Sequence, residues 1–177
     1  MDGFKITQPF DALVCFKQLP LMPSQSLTVR PISCDDLPLI IQLEQASSSK
    51  PWSSQQITDC VNGDYCVEVF EGEISDNRII GYWILQSIVD ELHLLNITIA
   101  HDAQGKGFGK SAMARLLDRA RELQANTLYL EVRKSNQIAR HVYTQAGFSV
   151  IGQRKDYYSL ANGGREDAIL MKCVITP

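Results

Sequence analysis

Gln104-Gly105-Lys106-Gly107-Phe108-Gly109-Lys110 follows an apolar, β-branched segment, Leu92 to Ala100, and precedes a run with apolar residues at helical spacing, Ser111 to Leu123. The period-2 segment predicts a strand, and Ala112, Met113, Leu116, Leu117, Ala120 and Leu123 predict a helix. A glycine-rich turn therefore joins a strand end to a helix start. Such a turn aims backbone N–H groups at one spot, on the positive end of the helix dipole. Its glycines allow close backbone approach and positive φ, and Lys106 and Lys110 add charge. The stretch is built to cradle phosphate.

Two common phosphate loops do not fit. The Walker pattern has four residues between its first Gly and its Gly-Lys-Ser, and Gln104 stands where that first Gly should be before Gly109-Lys110-Ser111. The dinucleotide pattern G-x-G-x-x-G fails because Gly109 comes one position early. Q-x-x-G-x-G does fit, as Gln104, Gly107 and Gly109. It resembles the pyrophosphate motif of the GNAT acetyltransferases.

Outward from the loop, the chain reads as one domain. Its 177 residues are 45% hydrophobic and 21% charged, as in an ordinary globular protein. A net charge of −3 argues against direct nucleic-acid binding by phosphate neutralisation. Five cysteines and three histidines show no metal-ligand spacing, so no metal is expected. Buried, reduced thiols are the expected state of the cysteines. No charged start with an apolar core follows, nor an apolar run of about 18 residues, so a cytoplasmic protein with no membrane contact is expected. Residues 1–26 combine Phe10, Leu13, Val14 and Phe16 with Pro9, Pro20 and Pro23 and read as an extension, a tail or a docking arm. Residues 27–177 form the domain proper.

Within it, Leu27 to Ile32 alternates as a first strand. Ser33, with Asp36 three residues on, opens a helix whose core face is Leu37, Ile40, Ile41 and Leu43. Pro51-Trp52 breaks the chain, and Ser53 with Gln56 forms a capping box for a second helix. Trp52 is either a core plug or part of a substrate rim. Tyr65 to Phe70 and Ile79 to Leu85 predict a hairpin that Leu92 to Ala100 extends, with Asn96 and Thr98 alternating with Leu95, Ile97 and Ile99. Thr127 to Val132 predicts a strand parallel to Leu92–Ala100, since a helical crossover joins them. Ser135 or Asn136 starts a last helix with Ile138, Ala139, Val142, Tyr143 and Ala146 on one face, ended by Gly147. Phe148 to Gly152 and Ala168 to Val174 close the chain as a hairpin, with Tyr157, Tyr158 and Gly163 to Asp167 in its long tip. The fold class is α/β (α+β), a mixed sheet of about seven strands flanked by about four helices.

Leu130-Glu131-Val132-Arg133, Ser135-Asn136, Ala139-Arg140, Tyr143, Gly147-Phe148, Asp156-Tyr157-Tyr158 and Gly164 to Ala168 extend the glycine-loop pattern. Together, and with Pro51-Trp52-Ser53, they resemble the bacterial RimI family of GNAT enzymes, which acetylate the N-termini of ribosomal proteins. The resemblance covers roughly residues 28–173. Its one departure is Asp156, where the family often has Asn.

The resemblance implies acetyl-CoA as co-substrate and, as acceptor partner, the N-terminal alanine of the eighteenth small-subunit ribosomal protein, whose next residues are basic. It implies that Glu131 is the general base and Tyr143 the acid that protonates the CoA sulfur. Ile97, Ile99, Gln104, Gly105, Lys106, Gly107, Phe108, Gly109, Lys110, Asn136 and Tyr143 would contact the cofactor, and Trp52, Tyr157, Tyr158, Glu166 and Asp167 the acceptor. The residues alone leave plainer alternatives open. Glu131 also reads as a solvated strand residue pairing with Arg133 or Arg165, Tyr143 as a core aromatic, and Asn136 as a helix cap. Arg165, Glu166 and Asp167 also read as a mutually paired hairpin tip. The wider alternatives are a GNAT enzyme for another N-terminus or a small amine, and a non-catalytic acyl-CoA-binding module.

An α-amine suits a weak base. Its pKa is about 7.7–8.0 against about 10.4 for lysine, so deprotonation at neutral pH costs only about 1 kcal/mol. A carboxylate acting through a water is sufficient.

Overall fold

The computed structural model describes residues 26–47, 50–74, 77–160 and 163–176, with the side chains of 73, 74, 77 and 78 left aside. The reading of residues 1–25 as an extension lies outside them. The elements run β1 (Thr28–Pro31), α1 (Leu37–Ser47), α2 (Ser54–Asn62), β2 (Cys66–Ile74), β3 (Asn77–Ile88), β4 (Glu91–Ile99), α3 (Phe108–Glu122), β5 (Thr127–Arg133), α4 (Gln137–Gln145), β6 (Ser149–Ser159) and β7 (Arg165–Val174). The strands form one sheet in the order β1-β2-β3-β4-β5-β7-β6. Only β4 and β5 pair in parallel, as the helical crossover between them requires.

The sheet separates two apolar layers. Phe70, Trp83, Leu92 and Leu94 pack with Phe108, Met113 and Leu116 of α3 and Tyr143 of α4. On the opposite face Val67, Val69, Tyr82 and Ile84 pack with Ile40 of α1 and Ile57 of α2. The helix starts follow their sequence signals. The Ser53 Oγ accepts from the Gln56 N–H, and Gln56 returns the contact to the Ser53 N–H at 2.9 Å. Before α1, a short 3-10 turn at Cys34–Asp36 holds Asp36 against the Ser33 N–H at 2.7 Å.

Three predicted details change. The closing hairpin is longer, so Tyr157, Tyr158 and Arg165 to Asp167 sit in β6 and β7 rather than in a tip, with the irregularity between Arg154 and Tyr158 absorbed as a bulge. Ile138 is 82% exposed and leaves the apolar face of α4, which Tyr143, Ala139 and Val142 carry. Leu95 does not share a face with Ile97 and Ile99. Opposite Ile84 and Leu85 stand Asn96 and Leu94, so Leu95 is an extra residue, a β-bulge that leaves it 37% exposed. Among the cysteines, Cys60 and Cys173 are buried free thiols, but Cys34 is exposed.

Candidate active site

The bulge at Leu95 coincides with the end of β4–β5 pairing. The two strands pair from Glu91 with Thr127 to Leu94 with Leu130, and both continue beyond without pairing. Beyond that point the facing edges of the two strands no longer spend their N–H and C=O groups on each other. A cavity of about 190 Å³ opens in the gap. Leu94, Leu95, Asn96 and Ile97 line it from β4, and Leu130 to Arg133 from β5.

Glu131 and Tyr143 meet on this cavity. Glu131 is on β5, with Oε1 3.0 Å from Arg154 Nε, so its ion pair is with β6 and not with Arg133 or Arg165. Tyr143 is buried on α4, its ring 6.0 Å from that of Phe148. Burial, and secondarily the nearby Tyr158, pushes its phenol from the ordinary 10 up to about 12, so it stays protonated. Asn136 lines the cavity while its Oδ1 caps α4 by accepting from the Ala139 N–H at 3.0 Å. Trp52 packs on the α1–α2 layer and also lines the cavity. Tyr158 lines it too, with the Arg133 guanidinium 4.3 Å from its ring centroid.

Three expected acceptor contacts lie elsewhere. Tyr157 does not line the cavity and is 44% exposed, with the Arg154 guanidinium 5.3 Å from its ring centroid. Glu166 is spent on the β5–α4 connection, accepting from the Ser135 N–H at 2.6 Å and from Arg133 at 3.4 Å. Asp167 takes Lys134 Nζ and the Asp156 N–H, both at 3.1 Å. These bonds hold both carboxyls below their ordinary values. The pair therefore braces a turn instead of facing the cavity.

The glycine loop forms the N-terminus of α3. Gly105 and Gly107 have φ of +73° and +92°, and Gly107 is the N-cap. Unlike α2, this helix has no side-chain cap; its first turn also carries no acid, so its positive end is left unneutralised. A Cβ at Gly105, Gly107 or Gly109 would meet nothing within 4 Å. At Gly109 neither backbone conformation nor packing within the chain demands glycine, and the bare position leaves open space beside the helix start. Gln104 ties the loop down by donating Nε2–H to the Ile99 carbonyl at 3.0 Å. Phe108 is buried in the core and offers only its N–H, while Ile99 is packed on the same core. Lys106 and Lys110 are exposed beside the loop. Among the described residues there is no cluster able to hold a metal and no helix long and apolar enough to cross a membrane.

Sequence reasoning overlooked a buried polar cluster that reaches the cavity wall, where Glu44 and Asn96 both line it. Glu44 of α1, only 2% exposed, accepts at Oε2 from the Tyr82 hydroxyl (2.9 Å) and Thr98 Oγ1 (2.6 Å). Its Oε1 accepts from the Trp52 N–H at 3.0 Å. Asn96 Nδ2 donates to Tyr82 Oη at 3.1 Å. Burial, then the adjacent Glu44, drives the Tyr82 phenol well above its ordinary 10. The available signal was an acid four residues after Ile40, on the apolar stripe of its helix. A larger hollow of about 720 Å³ lies between α1 and the β1–β2 edge, where Arg30 pairs with Asp36 and Glu71, and it contains neither Glu131 nor Tyr143.

A sheet that parts around a carboxylate and a phenol, together with an uncapped glycine-rich helix start after β4, is the arrangement of an acyl-CoA-dependent transferase. Residues 37–148 match the acetyltransferase (GNAT) family, and the chain belongs to it. It is an acetyl-CoA-dependent N-acetyltransferase. Over 144 residues it is 37% identical to the ribosomal protein bS18-alanine N-acetyltransferase of Haemophilus influenzae, covering 81% of this chain and 96% of that protein. The crystal structure of the ribosomal-protein-S18-alanine N-acetyltransferase from Escherichia coli is similar at a TM-score of 0.77 and 30% identity, over 86% of this chain and 96% of the other. A spermidine N-acetyltransferase from Vibrio cholerae, solved with CoA and spermine, gives a TM-score of 0.70 at 25% identity, over 84% and 95%.

Proposed function

We propose that this protein acetylates the N-terminal alanine α-amine of ribosomal protein bS18. The observation that carries the reading is the meeting of Glu131 and Tyr143 on one cavity in the gap between β4 and β5. The names of its relatives support the acceptor.

Bound acetyl-CoA supplies an acetyl thioester. The residues around the gap do the rest. The Gly105–Gly109 backbone and the start of α3 would hold the pyrophosphate, with Lys106 and Lys110 adding charge. Unpaired backbone groups at the β4 edge suit an extended, amide-bearing chain such as pantetheine. Glu131, reached directly or through a water, takes the proton of the α-ammonium. Tyr143 donates a hydrogen bond to the sulfur as charge develops on it, and its buried phenol keeps the hydrogen needed for that bond. Trp52 and Tyr158 flank the acceptor's path as apolar walls. On this reading the protein works in the cytoplasm on newly made acceptor, and its net charge of −3 supports contact with a basic peptide rather than with nucleic acid.

The test uses two peptides, one with a free N-terminal Ala before a basic run, the other with that terminus blocked and an internal Lys. The first should be acetylated and the second left nearly untouched. Preference for the blocked peptide would overturn the N-terminal assignment.

A further inference from the structure

We propose that Asn96 presents its side-chain carbonyl, Oδ1, to an N–H of the acceptor amine, and that a hydrogen-bond chain starting at buried Glu44 fixes that orientation. The proposal rests on the amine-acetylating reading above, but not on which amine is used.

The polarity of the chain follows from its first member. A carboxylate only accepts, and Glu44 takes the Tyr82 and Thr98 hydroxyls and the Trp52 N–H. Tyr82 has one hydroxyl hydrogen, spent on Glu44, so towards Asn96 its oxygen must accept. The group of Asn96 at 3.1 Å from Tyr82 is therefore the NH₂. With the amide flipped, two acceptors would face each other in a buried place. Oδ1 is thus held on the other side of the amide, and it has no hydrogen-bond partner among the described residues. Asn96 lines the same cavity as Glu131 and Tyr143. It also follows the Leu95 bulge, the irregularity that re-phases β4 there.

The chemistry gives Oδ1 a task. A neutral primary amine attacks with two hydrogens on nitrogen, and both become more acidic as the bond to carbon forms. Glu131, once it has passed the ammonium proton on to water, accepts from one. The second, inside a small cavity, needs an acceptor or pays for its burial. A neutral carbonyl oxygen satisfies it without competing as a base. Asn96 would then bind and aim the amine, while Tyr82 and Glu44 act as positioning residues; Glu44 also lines the cavity, its oxygens held by Tyr82, Thr98 and the Trp52 N–H.

Steady-state kinetics with the free N-terminal Ala peptide test this. Asn96→Leu, of similar volume, should lower kcat/KM for the peptide about tenfold or more, the loss of one hydrogen bond in a desolvated site, with acetyl-CoA affinity by calorimetry unchanged. Tyr82→Phe removes only a hydroxyl and frees the amide to turn, so it should produce a smaller loss of the same kind. In the Asn96→Leu background Tyr82→Phe should add nothing, because its effect is routed through Asn96. A purely structural cluster would instead lower Tm in each variant and leave kcat/KM per folded enzyme unchanged. Unchanged kcat/KM in Asn96→Leu, or full additivity in the double variant, would overturn the proposal. Should Asn96→Leu not fold, Tyr82→Phe with wild-type peptide kinetics overturns it alone. If the wild type acetylates a polyamine but not the Ala peptide, the bS18 assignment fails, and the same variants measured with the polyamine still decide the role of Asn96.

Discussion

Arg154 Nε lies 3.0 Å from Glu131 Oε1, so β6 sets a cation against the carboxylate that faces the cavity. Both side chains are partly open to water, at 55% and 29% exposure, and such a pair contributes little to stability. Its interest is positional, because it pins the carboxylate at the mouth of the β4–β5 gap. Glu131→Gln keeps the shape and removes the basicity. We expect kcat to fall by about 10²-fold or more, while Arg154→Ala changes stability by less than about 1 kcal/mol. Wild-type turnover in Glu131→Gln would remove the base role.

Tyr143→Phe should lower kcat and spare acetyl-CoA affinity, as calorimetry beside turnover would show. It should also change alkaline stability. The folded phenol titrates at about 12 against an ordinary 10, so the folded state holds this proton more tightly than the unfolded chain does. That contribution is complete below about 10 and is lost as pH rises towards about 12. Thermal melts of Tyr143→Phe should therefore decline less steeply than wild type across that window.

Gly109→Ala separates folding from binding. Its φ is not in the left-handed region and a Cβ meets nothing within 4 Å. Alanine in a first helical turn is at least as favourable as glycine, by up to about 1 kcal/mol, so Tm should hold or rise. Acetyl-CoA affinity should fall, since the new methyl occupies the approach to the loop. Gly107→Val, at φ +92°, should weaken binding and also cost roughly 1–3 kcal/mol in stability through backbone strain. Calorimetry on the folded variants checks both, and unchanged affinity in Gly109→Ala would move the pyrophosphate seat elsewhere.

Asp36 is nearly buried and takes two Arg30 contacts, at 2.6 and 3.1 Å, plus the Ser33 N–H and hydroxyl. The Arg30 bonds, above all, hold its carboxyl far below the ordinary 3.8. A lowered folded value means stability that is present above about 3.8 and lost as pH falls below it. Asp36→Asn should cost about 1–3 kcal/mol at neutral pH and flatten the acid limb of the stability curve, as denaturant titrations at several pH values would show.

Local signals in the sequence carried most of the architecture. The Ser53–Gln56 box, the Gly107 turn and the crossover that makes β5 parallel to β4 each depend on residues close in the chain, or on a handedness rule that needs no further information. What lay beyond reach depended on long-range partners. Glu44 was passed over, since Tyr82 and Thr98, its donors, lie 38 and 54 residues away. The Leu95 bulge is invisible to a period-2 pattern, since Leu95, Ile97 and Ile99 alternate correctly and only the partner strand reveals the extra residue. Glu166 and Asp167 carried two readings, acceptor contact or a mutually paired tip, and their partners Arg133, Lys134, Ser135 and Asp156 lie 11 to 33 residues away. Glu131 and Tyr143 were legible as residues of interest, and their convergence on one cavity was not, because it follows from where β4 and β5 part.

That parting is a property of the main chain. The gap begins where β4–β5 pairing stops after Leu94 and Leu130, next to the bulge at Leu95, so main-chain pairing locates it. Residues such as Trp52 and Tyr158 can be exchanged without closing it. A protein of this design can thus be re-aimed at a new amine through its rim while the seat for the acyl donor persists, so that change of substrate and loss of activity become separable mutational events.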